Sequence, residues 1–452
     1  MRRANLALGV SLLLLATGCK SNGSWSGLKE GSADATADGS GQGSGLGSGE
    51  GSGLGSGEGS GLGSGEDCSF GACSWARPCE GSGCPTLTDL RQVVPGPGLP
   101  AEIVDQHANN NLDVARFNGR TYLAFRTAPS HFASPEAMLY VMSSEDETNW
   151  RFEGSFSYDR DVREPRFLSW NGRLWFYFAT LGTSAADFVP GDMYVTEYLG
   201  PGSWTEPQTF YGAGFIPWRA RVINDVPYLV TYKGGENIYD ASGEPLEVHL
   251  LTTEDGVNWR PAVEGKPAVR VGGDSETDFA LLPDGSLVAV TRNEAGDETG
   301  FGSKVCTAAA ANLADWSCSP DPKKYDSPLV FAHGGEVYLV GRRNLNETGQ
   351  YDTGDPSLPL ANRSVSNQWT YWNTQKRCSL WRVDGATRST TFLLDLPSKG
   401  DTCFASVVPL DEGSYALYNY SSPVEGNDWV WVQGQQRPTN LYRMVLTFPA
   451  AR

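Results

Sequence analysis

Histidine is scarce in this chain. Four residues are scattered over 452, so no His-built metal site is expected, and His249 and His333 fall where strand or turn roles are expected. Positive charge is short as well. Lys and Arg number 35 against 53 Asp and Glu, for a formal net charge of −18. Nucleic-acid binding needs a basic footprint and is not expected; the acidity bears on solubility and names no substrate. Long apolar runs are missing, and the one near the start, Leu6 to Leu15, is too short to span a bilayer. Long amphipathic helical patterns are not evident. No Gly-rich loop follows a strand and opens a helix, and no Ser/His/Asp arrangement stands out, so nucleotide binding and triad hydrolysis lack support. No metal and no cofactor are expected.

What the chain has is turn and strand chemistry: 54 Gly, 27 Pro, 14 Trp, 18 Tyr and 18 Phe. Gly and Pro punctuate turns and aromatics favour strands, which predicts an all-β protein. Arg2 and Arg3 precede the short apolar run, and Ala16-Thr17-Gly18-Cys19 then resembles the lipobox of bacterial lipoproteins. That resemblance implies a signal peptide over 1–18, a diacylglyceryl thioether on Cys19 and attachment to the membrane through lipid alone. The alternative is an ordinary cleaved signal peptide. Lys20 follows the cysteine where an inner-membrane retention signal would have Asp, so an exported protein on the outer membrane, at its periplasmic face or the cell surface, is expected. Residues 19–66 form a linker. Gly43 to Glu66 is three copies of Gly-Ser-Gly-Leu-Gly-Ser-Gly-Glu, which buries too little to offset chain entropy and as a coil would span ~35–40 Å.

Nine cysteines are an odd number. With Cys19 as the lipid site, eight remain for up to four disulfides in an oxidising compartment. Cys68, Cys73, Cys79 and Cys84, in the segment 67–100, suit two disulfides tying a small knot, with a zinc site as the alternative. Cys306 and Cys318 are candidates to bridge one hairpin, and Cys378 and Cys403 to staple neighbouring repeats.

From residue 101 to 452 the chain repeats about every 55 residues. Each unit opens with an apolar strand, turns, and returns with an aromatic-rich strand. The turns are Asn118-Gly119, Asn171-Gly172, Asn224-Asp225, Asp284-Gly285, Gly334-Gly335 and Asp411-Glu412-Gly413; such dipeptides between apolar runs are strong hairpin signals. Trp150, Trp204, Trp259 and Trp316 recur in phase. A unit of this kind cannot bury its faces alone, and four-stranded sheets arranged radially solve that, which predicts a six-bladed β-propeller. The last unit is one strand short, and the stretch near Leu90–Val94 is the expected supplier. A monomer is expected.

Thr253-Glu-Asp-Gly-Val-Asn-Trp259 resembles the Asp-box of the sialidase (BNR-repeat) superfamily, with Ser144-Glu-Asp-Glu-Thr-Asn-Trp150 as a degenerate copy. Arg163-Glu-Pro-Arg-Phe, Pro217-Trp-Arg-Ala-Arg, Glu276-Thr-Asp-Phe, Gly400-Asp-Thr-Cys-Phe and Tyr418-Asn-Tyr-Ser-Ser are similar to strand motifs of those propellers. The resemblance covers roughly Asp105–Phe448. It implies a sialidase-like propeller that binds glycan at the mouth of its channel and has exo-glycosidase chemistry there.

In such propellers the starts of first strands and the ends of second strands meet at one face. Here the starts offer His107, Arg163, Glu164, Arg219, Glu276, Asp278, Asp326 and Asp401; the ends offer Arg126, Arg292, Glu294, Arg342, Arg343 and Tyr420. A sialidase needs three arginines for a carboxylate, and Arg163, Arg219 and Arg292 or Arg342 are the candidates. Tyr420 with Glu276 would be nucleophile and activator, and Asp401 or Asp326 the acid. The usual Arg-Ile-Pro start is missing, with Arg163-Glu-Pro its nearest equivalent. A second chemistry is a carboxylate-pair glycosidase drawing on Glu164, Glu276, Asp326 and Asp401. Glu164 and Asp278 complete the substrate-binding candidates. The loops Asn344–Lys376 and Ser421–Pro438 carry Tyr351, Trp369, Tyr371, Trp372, Trp429 and Trp431, for stacking on sugar rings or for packing over the channel. A non-catalytic carbohydrate- or protein-binding module is the alternative function. A five-bladed glycosidase fold is disfavoured by the six hairpins.

Overall fold

The computed structural model describes residues 75–184, 189–234, 244–353 and 357–449. Cys19, the Gly/Ser tether, Cys68 and Cys73 lie outside the described residues. Six antiparallel sheets follow one another along the chain, each starting at its innermost strand. The first blade runs Ala108–Phe117, Arg120–Ala128, Met138–Ser144, Arg151–Phe156. The fourth and fifth have the same plan: Asp274–Leu281 to Ser317–Pro320, and Leu329–His333 to Ser389–Asp395. Blades two and three begin at Val162–Trp170 and Phe215–Ile223 and depart at their outer edge. There two short pieces pair with the third strand, Ser203–Trp204 and Gln208–Thr209 in one, Trp259–Pro261 and Ala268–Gly272 in the other.

Blade six takes three strands from the C-terminal end, Ser406–Pro409, Ser414–Ser421 and Asn440–Thr447. Its outermost strand is Thr86–Val94, paired antiparallel to Asn440–Thr447. The ring is thus closed by the N-terminal strand, as the count of strands requires, and the open edge of blade six is covered. Just before it, Ala76 and Cys79 bond the backbone of blade five at Asp395 and Leu393, so residues 75–94 tie two blades together.

The hairpin turns have the backbone their residues allow. Asn118-Gly119, Asn171-Gly172, Asn224-Asp225 and Gly334-Gly335 all have both residues at positive φ, the twist that matches flanking strands. Between third and fourth strands, Asp146 and Asp255 build like turns. Asp146 Oδ1 accepts the amides of Thr148 and Asn149, both at 2.8 Å; Asp255 Oδ1 accepts those of Val257 and Asn258 at 2.8 and 2.7 Å. Trp150 and Trp259, which follow, are buried. Gly256 sits at φ +80 with the Trp175 ring 2.3 Å from where a Cβ would lie. In the first blade that position is Glu147, whose carboxylate instead binds Arg116 and Arg443 and so links blade one to blade six.

Disulfides join Cys306 to Cys318 across blade four, Cys378 of blade five to Cys403 at the start of blade six, and Cys79 to Cys84. A bonded Cys79–Cys84 pair has no thiolates to give a zinc ion. Among the described residues no group of His, Cys, Asp and Glu could hold a metal, and no helix is long and apolar enough to cross a membrane.

One element has no counterpart in the sequence pattern. The long loop of blade five contains a helix, α1, over Leu360–Trp372. Its buried positions are Ser364, Asn367 and Tyr371, a face spaced for a helix but too polar to register as an apolar stripe. Asn367 and Arg363 bind Asp352, which supplies the polar partner that face needs. The loop of blade six carries a single turn, α2, over Trp431–Gly434.

Candidate active site

Every blade presents its innermost strand to the axis, and these strands share an irregularity near their start. Register slips occur between Asn110 and Leu112, Arg163 and Arg166, Pro217 and Arg219, and Asp274 and Thr277. Asn111, Glu164, Ser327 and Cys403 have positive φ. Bulges bend a strand and re-aim its side chains. Here they bring charged groups from non-adjacent blades to one end of the hub.

Glu164 and Glu276 occupy that end, nearly buried but not sealed, at 6% and 8% exposure. Glu164 Oε1 accepts Asn111 Nδ2 at 2.9 Å, while its Oε2 has no hydrogen bond, Arg166 standing at 3.6 Å. Burial raises its pKa against the pull of Arg166 and Arg163, and Glu276 adds to the rise. Glu276 has both oxygens engaged, one with Arg292 Nη1 at 2.5 Å, the other with the amide of Ser327 at 2.7 Å. Burial also raises its pKa, opposed by Arg292 and assisted by Asp326.

Asp401 forms the second half of the site. Its Oδ1 accepts Tyr420 Oη at 2.9 Å and Trp431 Nε1 at 3.2 Å, and its Oδ2 lies 2.7 Å from His131 Nδ1. Burial works against the charge, but His131, Arg342 and Tyr420 outweigh it and hold the carboxyl below the usual range. Tyr420 titrates well above the ordinary range, pushed up by burial and by Asp401. It is a neutral donor to Asp401, and the pairing of Tyr420 with Glu276 expected for sialidase chemistry is not made. The reason is local: Arg292 and the Ser327 amide hold Glu276, while Tyr420 leaves its strand beside Asp401.

Asp326 is fully buried between two guanidinium groups. Arg342 Nη1 donates to Oδ2 at 3.0 Å, Tyr371 Oη to the same oxygen at 2.6 Å, and Arg292 Nε ion-pairs with Oδ1 at 2.9 Å. Lys324 stands 3.9 Å from Oδ1. Burial opposes its ionisation, yet Arg292, Lys324, Arg342 and Tyr371 depress its pKa far below the usual range. On the other side of the site Arg126 and Asp161, both fully enclosed, pair at 2.6 Å, and Asp161 also binds Arg163. Arg163 Nη2 donates to the His131 carbonyl at 3.3 Å.

The structure therefore brings Arg163, Glu164, Glu276, Arg292, Asp326, Arg342, Asp401 and Tyr420 to one end of the hub. Arg219 and Asp278 belong elsewhere. Arg219 donates to the carbonyls of Pro328 and Ala405, and burial lowers its pKa to about 9. Asp278 is held by both oxygens to Arg221 and accepts the amide of Val330 at 2.6 Å. That contact clips blade four to blade five, as Asp113 clips blade one to two through the amide of Phe167 at 2.8 Å. His107 is exposed, and Arg343 pairs with Asp395 away from the hub.

His131, Asn111 and Asp161 escaped the sequence reading. His131 lies five residues beyond Arg126, in the loop after a second strand, and that position was its signal. Of the loop aromatics, Tyr351, Tyr371 and Trp431 pack with Phe301 in a buried cluster. Trp369 is exposed, and Trp429 stacks under Arg437, 3.6 Å from the ring centroid.

The chain is thus a six-bladed β-propeller whose hub gathers carboxyl and guanidinium groups. No protein-family model matches it, and no curated protein sequence does. Solved structures do. A protein of unknown function from Dyadobacter fermentans aligns with a TM-score of 0.51 at 15% identity, over 79% of this chain and 99% of that one. A sialidase from Trypanosoma rangeli aligns with a TM-score of 0.49 at 15% identity, over 75% of this chain and 55% of that one. An α-L-arabinofuranosidase from Fusarium graminearum, bound to an iminosugar inhibitor, gives 0.46 at 10% identity, over 74% and 92%. At such identities the likeness is one of fold.

Proposed function

We propose that this protein is an envelope lipoprotein, anchored through Cys19 to the outer membrane, whose propeller hub binds the terminal sugar of a glycan and hydrolyses its glycosidic bond with Glu164 and Glu276. The observation that carries the reading is the division of labour between these two side chains. Two carboxyls at one low-dielectric site do not both ionise readily. Glu276 faces a guanidinium and an amide N–H and is the better holder of the charge. Glu164 keeps an oxygen without a hydrogen bond, and with its raised pKa it is the better holder of the proton. A protonated and an ionised carboxyl flanking one bond are what glycoside hydrolysis requires. His131 and Asn111 supply polar contacts for a sugar.

Purified protein should release chromophore from at least one aryl glycoside in a broad panel, and both Glu164→Gln and Glu276→Gln should lose that release by roughly 10²–10⁴-fold. Release unaffected by both changes would sink the assignment. A second reading is a non-catalytic glycan-binding module, and the closed packing of Tyr371 and Trp431 over Asp326 and Asp401 favours it. That reading wins if the protein retains glycans on an array and cleaves nothing.

A further inference from the structure

Arg292 and Arg342 leave the second strands of blades four and five and converge on a single point. In a site built to capture a carboxylate, that point would be left for the ligand, because the planar guanidinium fork matches carboxylate geometry. Here a side chain of the protein fills it. Asp326 places one oxygen 3.0 Å from Arg342 Nη1 and 2.6 Å from Tyr371 Oη, and the other 2.9 Å from Arg292 Nε. Tyr371 comes from α1 and closes the point from above. Arg292 is further engaged by Glu276 and Glu294.

We infer that Asp326 is a built-in substitute for a ligand carboxylate, seated between Arg292 and Arg342, and that it restricts the hub to uncharged sugars. The inference rests on the glycan reading and narrows it to neutral glycans. Its physical basis is exclusion. An acidic sugar would meet guanidinium groups already neutralised. It would also meet the charges of Asp326, Glu276 and Glu294 at close range in a site with little water, where like-charge approach is strongly unfavourable. A neutral sugar needs no vacant cation; its hydroxyls bond with carboxyl, imidazole and amide groups.

The test compares N-acetylneuraminic acid with its methyl ester as ligands in thermal unfolding, using the full chain and a variant that combines Asp326→Ala with Tyr371→Ala, so that both the seated carboxylate and the ring closing over it are removed. The wild type should respond to neither at millimolar concentration. The variant, with the seat vacated, should be stabilised by the acid by roughly 2 °C or more and not by the ester. Stabilisation of the wild type by the acid, or a folded variant indifferent to it, overturns the inference. If the variant does not fold by itself, refolding it with formate is the second measurement. Recovery that depends on formate is the expected result, and failure of formate to help overturns the inference. Neutral oligosaccharides in the same assay separate the two claims. If none binds the wild type, the glycan reading fails, while the acid-versus-ester contrast still decides whether Asp326 fills a carboxylate seat.

Discussion

At the scale of single residues, the hub sets charge against burial. Glu276 binds its proton more tightly folded than unfolded, because burial outweighs the help of Arg292. A raised carboxyl contributes stability fully present below the unfolded pKa and lost as pH rises through the folded one. Replacing Glu276 by Gln removes that loss. The variant should therefore melt at or above the wild-type temperature near neutral pH, and the gap should shrink as pH falls into the ordinary Glu range. Scanning calorimetry across that range checks the sign, and a variant that melts well below wild type at pH 7 contradicts it. Asp401 runs the other way. Its pKa is depressed, so its contribution is present above the unfolded Asp range and lost as pH drops through the folded value. Hydrogen bonding to His131, Tyr420 and Trp431 is what would be lost.

At the scale of elements, turns and the capping helix carry separable costs. Gly256 combines positive φ with the Trp175 ring against its missing Cβ, whereas Gly265, at φ +71, has open space around it. Gly265→Ala should cost the backbone term alone, about 1–2 kcal/mol. Gly256→Ala should add an overpacking term of about 1–3 kcal/mol. Urea unfolding of both variants reads the difference, and equal losses would mean that the ring moves freely aside. In α1 the link to the hub is Tyr371, which donates to Asp326. Tyr371→Phe removes one hydrogen bond to a charged group and should cost about 1.5–3 kcal/mol. Faster amide exchange confined to residues 360–372 is the expected signature.

The whole molecule is a ring whose closure depends on residues far apart in sequence. Thr86–Val94 covers the edge of Asn440–Thr447, and Cys378–Cys403 fastens blade five to the start of blade six, a separation of 25 residues. Replacing both cysteines by Ser should lower stability by about 2–4 kcal/mol and, under the proposed glycan-binding function, weaken glycan retention as well, because Cys403 is two residues from Asp401. A chain lacking residues 75–94 exposes a full strand edge. It should associate or precipitate more readily than the intact protein, as judged by light scattering. A well-behaved monomer would show that the closing strand is dispensable.

Sequence alone determined the blade count and the ring's closing strand, because Asn-Gly turns, strand-length apolar runs and phased tryptophans are local signals read without knowing what lies opposite. It also marked most of the hub's charged residues, since strand starts and ends are positions in a repeat. It could not tell Arg219 and Asp278 from Arg292 and Glu276. Arg219, Asp278 and Glu276 stand on inner strands and Arg292 near the end of a second strand, and only the folded ring decides which level of the hub each side chain reaches. Nor could it pair Tyr420 with Asp401, place Asp326 between two arginines, or find α1, whose buried face is polar. Those were settled only by tertiary structure. A charge in a nearly dry hub takes the partner that is nearest in space, and residues from different blades become neighbours only when the ring closes.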